Sequence, residues 1–245
     1  MPNLNPITLV GVGPGDPALI TLAAIKAIED ATVIAYPIAK EGVKSMAAQI
    51  ASKWIKDHHK QIPLVFPMVT TAEPLQEAWR TAGNVLFEEA LKGEKVSFLS
   101  QGDVSLFSTA SYLLLDLRKN HSGLQLKLIP GVSSISAAAA AGKWPLALQQ
   151  DELLILPTPE DPATLEGLIE DAASSSRTLA LLKLGHRWPW VRSLLEQKAA
   201  LNSSLFVQRV GFPDQIVLPA NEVDASIKPY FSLLLIRLKY PPFIS

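Results

Sequence analysis

Three glycine-containing turns, each after an apolar segment, carry the residues best suited to hold a ligand through the main chain. The first turn alternates Gly11, Gly13 and Gly15 between a β-branched run and an apolar-periodic segment. Glycine adopts backbone conformations that other residues avoid, and it lets a ligand approach the chain closely. Asp16 is a favoured N-cap and Pro17 a favoured first helical residue, so we expect a strand, a tight turn and a helix. An ordinary strand-to-helix connection without a ligand is the alternative.

The spacing of this first turn fits a nicotinamide-binding motif poorly. That motif reads G-x-G-x-x-G, and its third glycine stands where the helix packs on the strand. Gly11 and Gly13 match the first two positions, whereas Asp16 occupies the third. A nicotinamide-dependent oxidoreductase therefore stays an alternative that the turn itself disfavours.

The second turn places an amide and a carboxylate after the apolar segment 96–99. It contains Gln101, Gly102 and Asp103. Open α/β sheets bind ligands at the carboxyl ends of their strands, which is where this turn is expected. Gly102 permits close approach, and Asp103 can accept hydrogen bonds from a ligand amine or hydroxyl. A helix-capping aspartate in a solvated loop is the alternative.

The third turn, residues 130–134, repeats the order of strand, glycine turn and helix. Ser133 and Ser134 offer hydroxyl groups and backbone N–H groups at the start of an alanine-rich segment. Small side chains keep the wall of such a site thin. A glycine turn with a capping serine is the alternative.

Basic side chains gather after a fourth apolar segment, 178–182. They are Lys183, His186 and Arg187. Arginine pairs with carboxylates through two parallel hydrogen bonds, so this cluster would suit an anionic ligand. A set of solvated charges beyond a strand is the alternative interpretation.

The composition excludes several kinds of site. The chain has 245 residues, a net charge of −1 and no cysteine. A general nucleic-acid surface, disulfides, thiolate chemistry and cysteine zinc sites are therefore not expected. The four histidines show no metal-site spacing, so no metal is predicted. Charges or prolines interrupt every apolar run, and the first residues lack a basic and apolar leader, so we expect no membrane span, no signal peptide and a cytoplasmic protein.

Strand-like and helix-like segments alternate, which predicts an α/β protein with mostly parallel sheets. Strands are expected at 7–12, 32–36, 62–66, 95–99, 125–129, 152–156, 178–182, 205–210 and 231–238. Helices are expected at 17–30, 44–56, 75–92, 109–119, 162–173 and 189–198, with an alanine-rich helix after 134. A polar connector at 119–123 separates two lobes, predicted at 1–121 and 122–245.

These four motifs, in this order and spacing, resemble the tetrapyrrole methylase family along essentially the whole chain. The opening GVGPGDPALITLAAIKAIEDATVIAYP is highly characteristic. The resemblance implies a two-lobed α/β fold, each lobe a mostly parallel sheet flanked by helices, with the active site in the cleft between the lobes. It also implies S-adenosyl-L-methionine as cofactor and S-adenosyl-L-homocysteine as product. Tyr36-Pro37, 39–42 and 229–232 resemble the branch that methylates C20 of precorrin-2.

The resemblance also assigns residues to the site. Those expected to contact the cofactor are Pro14, Gln101, Gly102, Asp103, Leu106, Ser133, Ser134, Leu182 and Ser203. Those expected to contact the ring are Gly13, Gly15, Tyr36, Lys40, Lys183, His186 and Arg187. No catalytic base is assigned: Asp103 and Tyr36 are the candidates, and water is the alternative. Val104 stands where the family usually has proline, and Leu182 where it usually has methionine.

The implied function is transfer of a methyl group to C20 of precorrin-2, or of its cobalt form, by a homodimer that binds neither nucleic acid nor membrane. Such a reaction asks the protein mainly to bind and orient two reactants. A methylase for another corrinoid position, or one of the diphthamide pathway, is an alternative within the family. A non-catalytic protein that binds S-adenosylmethionine is an alternative outside catalysis.

Overall fold

The computed structural model describes residues 4–67 and 71–239. The chain forms two compact units, Met1–Ser133 and Ser134–Ser245. The sequence placed the division between 121 and 122, ahead of the segment 125–129. That segment forms a strand that pairs within the first unit, so the observed division lies beyond it.

The first unit is a five-stranded sheet with helices between its strands. Its strands are β1 Ile7–Gly11, β2 Val33–Ile38, β3 Lys60–Val65, β4 Val96–Ser100 and β5 Leu126–Ile129. Its helices are α1 Leu22–Glu29, α2 Met46–Ile50, α3 Ala72–Leu91 and α4 Thr109–Asn120. The strand order is β3-β2-β4-β1-β5, and all four pairings are parallel. The carboxyl ends of all five strands therefore lie at one edge.

The segment predicted as one helix from 17 to 30 is divided in two. A short 3₁₀ turn, Pro17–Leu19, comes first, and α1 begins after Thr21. Asp16 accepts a 2.8 Å hydrogen bond from the backbone N–H of Ala18. The hydroxyl of Thr21 accepts a 3.1 Å bond from Ala24. Two N-caps in one segment start two helical pieces, because each cap satisfies backbone N–H groups that a continuous helix would use itself.

The second unit holds the remaining strands and helices. Its helices are α5 Ser134–Ala141, α6 Pro162–Ser174 and α7 Trp188–Gln197. Its strands are β6 Glu152–Pro157, β7 Arg177–Leu182, β8 Ser204–Gln208, β9 Ile216–Pro219 and β10 Ser232–Arg237. The order is β6-β7-β10-β8-β9.

The second sheet corrects the expectation of a mostly parallel arrangement. β6 and β7 pair in parallel, but the other three pairings are antiparallel. A parallel neighbour needs a crossover, whereas β8 and β9 are joined by the short segment 209–215. The predictions also missed β9, a four-residue strand with two half-buried positions. The α/β class holds, with one parallel and one mixed sheet.

Each unit has its own apolar core. In the first, Phe98 of β4 packs with Leu86 of α3 and Leu113 of α4, all fully buried. In the second, Trp188 lies against Phe206, and its indole N–H donates a 2.7 Å hydrogen bond to the carbonyl of Asp224. Within the described ranges, no helix has the length and apolar character needed to cross a membrane.

Candidate functional site

Two of the glycine turns are joined directly at the carboxyl edge of the first sheet. β1 lies between β4 and β5, so the turns that follow these three strands are neighbours. Gly102 donates a 2.7 Å hydrogen bond from its backbone N–H to the carbonyl of Gly13. Gly13 returns a 3.2 Å bond to the carbonyl of Gly102. The first and second turns are therefore joined by a pair of backbone hydrogen bonds. Gly13 was expected to contact the ring, but its backbone N–H and C=O are both bonded to Gly102.

Three glycines let the three backbone segments touch. A Cβ placed on Gly131 would lie 2.2 Å from the carbonyl oxygen of Gly102 and 2.8 Å from the carbonyl carbon of Gly11. A Cβ on Gly11 would lie 2.6 Å from the backbone nitrogen of Gly131. Real Cβ atoms do not approach backbone atoms so closely, so the convergence of the turns needs glycine at these positions.

Asp103 connects the second turn to the third. Its Oδ2 accepts a 2.9 Å hydrogen bond from the backbone N–H of Gly131. Its Oδ1 accepts a 2.8 Å bond from the N–H of Ser105 and another from the Ser105 hydroxyl. Partial burial raises the pKa of this carboxyl, but the bonds from Ser105, Gly131 and Val104 outweigh burial and hold the pKa below its usual value. Asp103 is therefore ionised and fixed in place at neutral pH.

Gln101 adds a second link between the first two turns. Its Nε2 donates a 3.0 Å hydrogen bond to the carbonyl of Pro14. Pro14 and Gly15 are both buried. Gly102, the next residue, has φ +71° and open space where a side chain would project. The edge thus combines tightly joined backbone with an open position beside an ionised carboxylate.

The rest of the second turn is anchored to the core below it. Val104, in the position where proline was expected, is buried in the core of the first unit. Its carbonyl accepts a 2.8 Å hydrogen bond from the hydroxyl of Ser111. Leu106 is half-buried, next to Phe107, which has φ +50° and is exposed. Apolar side chains are therefore available beside the carboxylate.

Tyr36 and Lys40 lie at the same edge, at and beyond the end of β2. The hydroxyl of Tyr36 donates a 3.2 Å hydrogen bond to Oε1 of Gln61. Lys40 is exposed in the turn that follows. β2 is next to β4, so both residues are on the side of the second turn.

The two serines of the third turn fall on either side of the unit boundary. Ser133 ends the first unit, and Ser134 is the first residue of α5 in the second. Both are half-buried. The motif was read as one turn, and the chain passes from one unit to the other within it.

The second unit carries the basic cluster at the end of β7. Leu182 is buried, and Lys183 follows it with φ +60°, a conformation that non-glycine residues seldom adopt. The Nζ of Lys183 lies 5.8 Å from the ring centroid of Tyr230, within the range of a cation–π interaction. Tyr230 is 42% exposed.

Arg187 does not offer an unpaired guanidinium, in contrast to its expected role as a carboxylate ligand of the ring. Its Nε donates a 3.0 Å hydrogen bond to Oε2 of Glu160, and its Nη2 donates to Oε1 of the same carboxylate. Its Nη1 donates a 3.1 Å bond to the carbonyl of Lys183. The hydrogen bond from Arg187 lowers the pKa of Glu160, so the pair is charged at neutral pH. His186, beside it, is exposed.

Ser203 lies away from Leu182. Leu182 pairs with Leu233 at the start of β10, whereas Ser204 pairs with Ile236 near its end. Ser203 therefore lies at the opposite end of the strands from Leu182. The end of β8 that reaches the Leu182 edge is Gln208, which precedes Arg209.

Sequence reasoning missed three residues at this edge. Glu160 could not be predicted, because no local sequence pattern indicates that it pairs with Arg187, 27 positions away. Tyr230 lay inside a segment quoted for the resemblance, but it had no assigned role. Arg209 follows β8, and its backbone N–H donates a 2.8 Å hydrogen bond to the carbonyl of Phe231.

Within residues 4–67 and 71–239 no group of three or more acidic or histidine side chains is placed to hold a metal.

Comparison with known proteins identifies relatives along nearly the whole chain. The model of the family described as Tetrapyrrole (Corrin/Porphyrin) Methylases matches residues 6–225. The cobalamin biosynthesis protein CobIJ of Mycobacterium tuberculosis is 32% identical over 235 residues, which are 93% of this chain and 45% of that protein. The chain thus spans less than half the length of that relative.

Two further similarities cover both partners almost fully. The cobalt-precorrin-2 C(20)-methyltransferase of Salmonella typhimurium is 28% identical over 233 residues, 94% of this chain and 95% of that one. The uroporphyrin-III C-methyl transferase of Thermus thermophilus, solved in complex with S-adenyl homocysteine, has the same fold. Its TM-score is 0.61 at 21% identity, over 95% of this chain and 92% of that chain.

Proposed function

The chain belongs to the tetrapyrrole (corrin/porphyrin) methylase family, and from that membership we propose that it transfers a methyl group from S-adenosyl-L-methionine to C20 of precorrin-2 or its cobalt form. The observation that carries the choice of C20 is the similarity to the Salmonella C(20)-methyltransferase, which extends over 94% of this chain and 95% of that enzyme. The proposed pathway is cobalamin biosynthesis.

The carboxyl edge of the first sheet fits the proposed cofactor. Gly102 leaves open space beside its Cα, and Asp103 supplies an ionised carboxylate next to it. Carboxylates stabilise cationic ligand groups through charge-assisted hydrogen bonds, and S-adenosylmethionine carries both an ammonium and a sulfonium. Oδ1 of Asp103 accepts two bonds from Ser105, whereas Oδ2 accepts one from Gly131 and keeps a lone pair that could accept from the cofactor. Pro14, Gln101, Leu106 and Ser133 complete the proposed cofactor contacts in this unit.

Asp103 suits an anchoring role better than that of a general base. An efficient base has a pKa near the working pH, and the pKa of Asp103 is held below its usual value. Tyr36, the other candidate, donates its hydroxyl proton to Gln61 at 3.2 Å, so it would have to release that proton before it could accept one from the ring carbon. The acceptor of the ring proton is therefore left unassigned.

The chemistry requires little more from the protein than alignment. Bound at these residues, S-adenosylmethionine would supply an electrophilic methyl group, with the neutral thioether S-adenosylhomocysteine as the leaving group. Holding two reactants in line can lower a barrier by roughly 7–11 kcal/mol. Turns joined by backbone hydrogen bonds and glycine contacts, as at Gly13, Gly102 and Gly131, provide the rigid backbone that such alignment needs.

In the second unit we propose cofactor contacts at Leu182 and, in place of Ser203, at the end of β8 beside Gln208. Both lie at the carboxyl edge of β7, where ligands of α/β sheets bind. Ser134 keeps its proposed cofactor role. Lys40, Lys183 and His186 are the proposed cationic contacts of the ring, and Gly15 with Tyr36 its proposed neighbours.

Two measurements test the proposal at the level of methyl transfer. Isothermal titration with S-adenosylhomocysteine is expected to give saturable binding, and titration with NADH is expected to give none. Incubation with S-adenosylmethionine and precorrin-2 is expected to raise the mass of the ring by one methyl group. Binding of NADH in place of S-adenosylhomocysteine would indicate an oxidoreductase. Cofactor binding without a mass change on either the metal-free or the cobalt ring would refute methylation of precorrin-2 and leave a methylase for another substrate or a non-catalytic protein.

The homodimer and the cytoplasmic location remain predictions. Sedimentation equilibrium of the purified chain checks the first, with a mass twice the 26.5 kDa of one chain expected. Cell fractionation checks the second.

A further inference from the structure

Lys183 differs from the other cations near the end of β7 in what surrounds its charge. Arg187 is bound by Glu160, Arg209 lies 2.7 Å from Asp214, and Lys228 lies 2.7 Å from Asp224. Throughout the described part of the chain, no carboxylate is within ion-pair distance of Lys183. Its recorded neighbour is instead the ring of Tyr230, at 5.8 Å. Lys183 can therefore accept an external carboxylate without losing an internal one.

The backbone of Lys183 is held in an unfavourable conformation by the side chain of Arg187. A non-glycine residue in the left-handed region is strained, so surrounding contacts must hold it there. The carbonyl of Lys183 accepts a 3.1 Å hydrogen bond from Nη1 of Arg187. The same guanidinium is fixed by both oxygens of Glu160.

Strain by itself does not mark a site here. Lys143 also has a positive φ, +51°, in the connection after α5. At Lys183, by contrast, the strain coincides with a fixed carbonyl, an aromatic ring beneath the ammonium and a place at the carboxyl edge of β7. Lys143 is therefore a natural control: the same residue type, in a similar backbone conformation, in the same unit.

We propose that Lys183 binds a carboxylate of the substrate ring, with Tyr230 beneath its ammonium, and that Glu160 and Arg187 are positioning residues that hold Lys183 for this purpose. The proposal rests on the proposed function, because it assigns the substrate as a planar ring with carboxylate side chains. It gives Arg187 a different task from the direct contact expected from its sequence, and it gives Glu160 a functional role. Exposed Tyr230 offers a flat apolar face next to the charge, which suits a flat tetrapyrrole ring with peripheral anions.

The test measures binding of uroporphyrin, a stable planar tetrapyrrole with carboxylate side chains, by absorbance titration of the full chain. Lys183→Gly removes the ammonium and relieves the strain, so we expect its Kd to rise about tenfold while its thermal stability is kept. Lys143→Gly, the matched control, is expected to bind as the wild type does. Equal affinity of Lys183→Gly and the wild type, or no binding of uroporphyrin by the wild type, would overturn the proposal.

A double-mutant cycle tests the positioning role of Glu160. Glu160→Gln alone is expected to raise the Kd about threefold to tenfold, and Glu160→Asp to recover part of the loss. In the Lys183→Gly background, Glu160→Gln is expected to have no further effect, because it acts through Lys183. A loss that adds in full to that of Lys183→Gly would show that Glu160 does not position Lys183.

Methyl transfer is measured on the same proteins, which separates this proposal from the proposed function. Ring binding that depends on Lys183 without methyl transfer by the wild type would refute the function and leave the carboxylate contact standing. Methyl transfer by the wild type with an unchanged ring KM in Lys183→Gly would refute the contact and leave the function standing. The KM for S-adenosylmethionine is expected to stay the same in Lys183→Gly and in Glu160→Gln.

Discussion

The backbone N–H of Gly131 donates a 2.9 Å hydrogen bond to Oδ2 of Asp103, which joins the turn after β5 to the turn after β4. Asp103→Asn puts an amide nitrogen where one of the two acceptor oxygens stood, so either Gly131 or Ser105 loses its acceptor. We expect a loss of about 1–3 kcal/mol in the free energy of unfolding. We also expect the Kd for S-adenosylhomocysteine to rise about tenfold or more, measured by calorimetry.

The control for Asp103 is an aspartate with a similar local geometry outside the site. Asp161 caps α6 by accepting a 2.9 Å hydrogen bond from the N–H of Thr164. Asparagine is an equally good cap for this N–H, and the exposed Thr164 hydroxyl, which donates a 2.9 Å bond to Oδ2, can accept from the new amide instead, so Asp161→Asn is expected to change stability by at most about 0.5 kcal/mol and to leave cofactor affinity unchanged. Unchanged cofactor affinity in Asp103→Asn as well would reduce Asp103 to a structural cap.

Gly131→Ala tests the contact between the three turns. The new Cβ would lie 2.2 Å from the carbonyl oxygen of Gly102, and backbone cannot yield as a flexible side chain would. We expect a destabilisation of about 1–3 kcal/mol, seen as a lower midpoint of denaturant unfolding. Gly167→Ala, on an exposed helical position with nothing within 4 Å, is expected to stabilise by about 0.5–1 kcal/mol. Equal effects of the two substitutions would contradict the close packing of the turns.

Gly102→Ala separates cofactor contact from backbone strain. Gly102 and Gly123 have φ +71° and +92°, and a Cβ at either meets no protein atom within 4 Å. Both substitutions are expected to cost about 1 kcal/mol of stability through strain. A methyl group on Gly102 alone would occupy the space assigned to the cofactor. Calorimetry is therefore expected to show weaker binding of S-adenosylhomocysteine in Gly102→Ala and unchanged binding in Gly123→Ala.

Glu89 gives a pH-dependent prediction for stability. It is buried between Lys60 and Lys92, each with its Nζ at 2.7 Å. Hydrogen bonds from these two lysines, with Lys60 the larger, lower the pKa of Glu89. Its contribution is therefore complete above the unfolded pKa, about 4.3, and is lost as pH falls from there through the lower folded pKa.

Glu89→Gln checks this sign. The free energy of unfolding of the variant is expected to be about 1–3 kcal/mol lower than that of the wild type at neutral pH. The difference should shrink in acid, below the unfolded pKa. Glu88→Gln, at an exposed position on the same helix, is expected to show no such convergence. A difference that grows in acid would mean that Glu89 is protonated in the native state.

The turns at the first sheet could be predicted from the sequence because their signals are local. Glycine spacing and the flanking apolar segments fix the strand ends, and the carboxyl ends of parallel strands share an edge. The convergence of Gly13 and Gly102 follows from that geometry. Thr21 was not recognised as a second cap, so the break ahead of α1 went unnoticed.

The second unit was less predictable because its sheet depends on long-range pairing. β10 is the last strand in the described chain, yet it lies between β7 and β8. Because β8 runs antiparallel to β10, Ser203 lies at the end of the sheet away from Leu182, and Arg209 lies at the same end as Leu182. The pairing of Arg187 with Glu160 is likewise a choice of partner across 27 positions, which local charge patterns do not indicate.

The ring carbon that receives the methyl group distinguishes methylation at C20 from every other activity considered for this chain. The wild-type chain is incubated with S-adenosylmethionine labelled with ¹³C at the methyl group, once with precorrin-2 and once with its cobalt form, and the product is examined by NMR. We expect a single labelled methyl on C20 of at least one of the two rings. A label on any other ring carbon, or on neither ring, would refute methylation at C20.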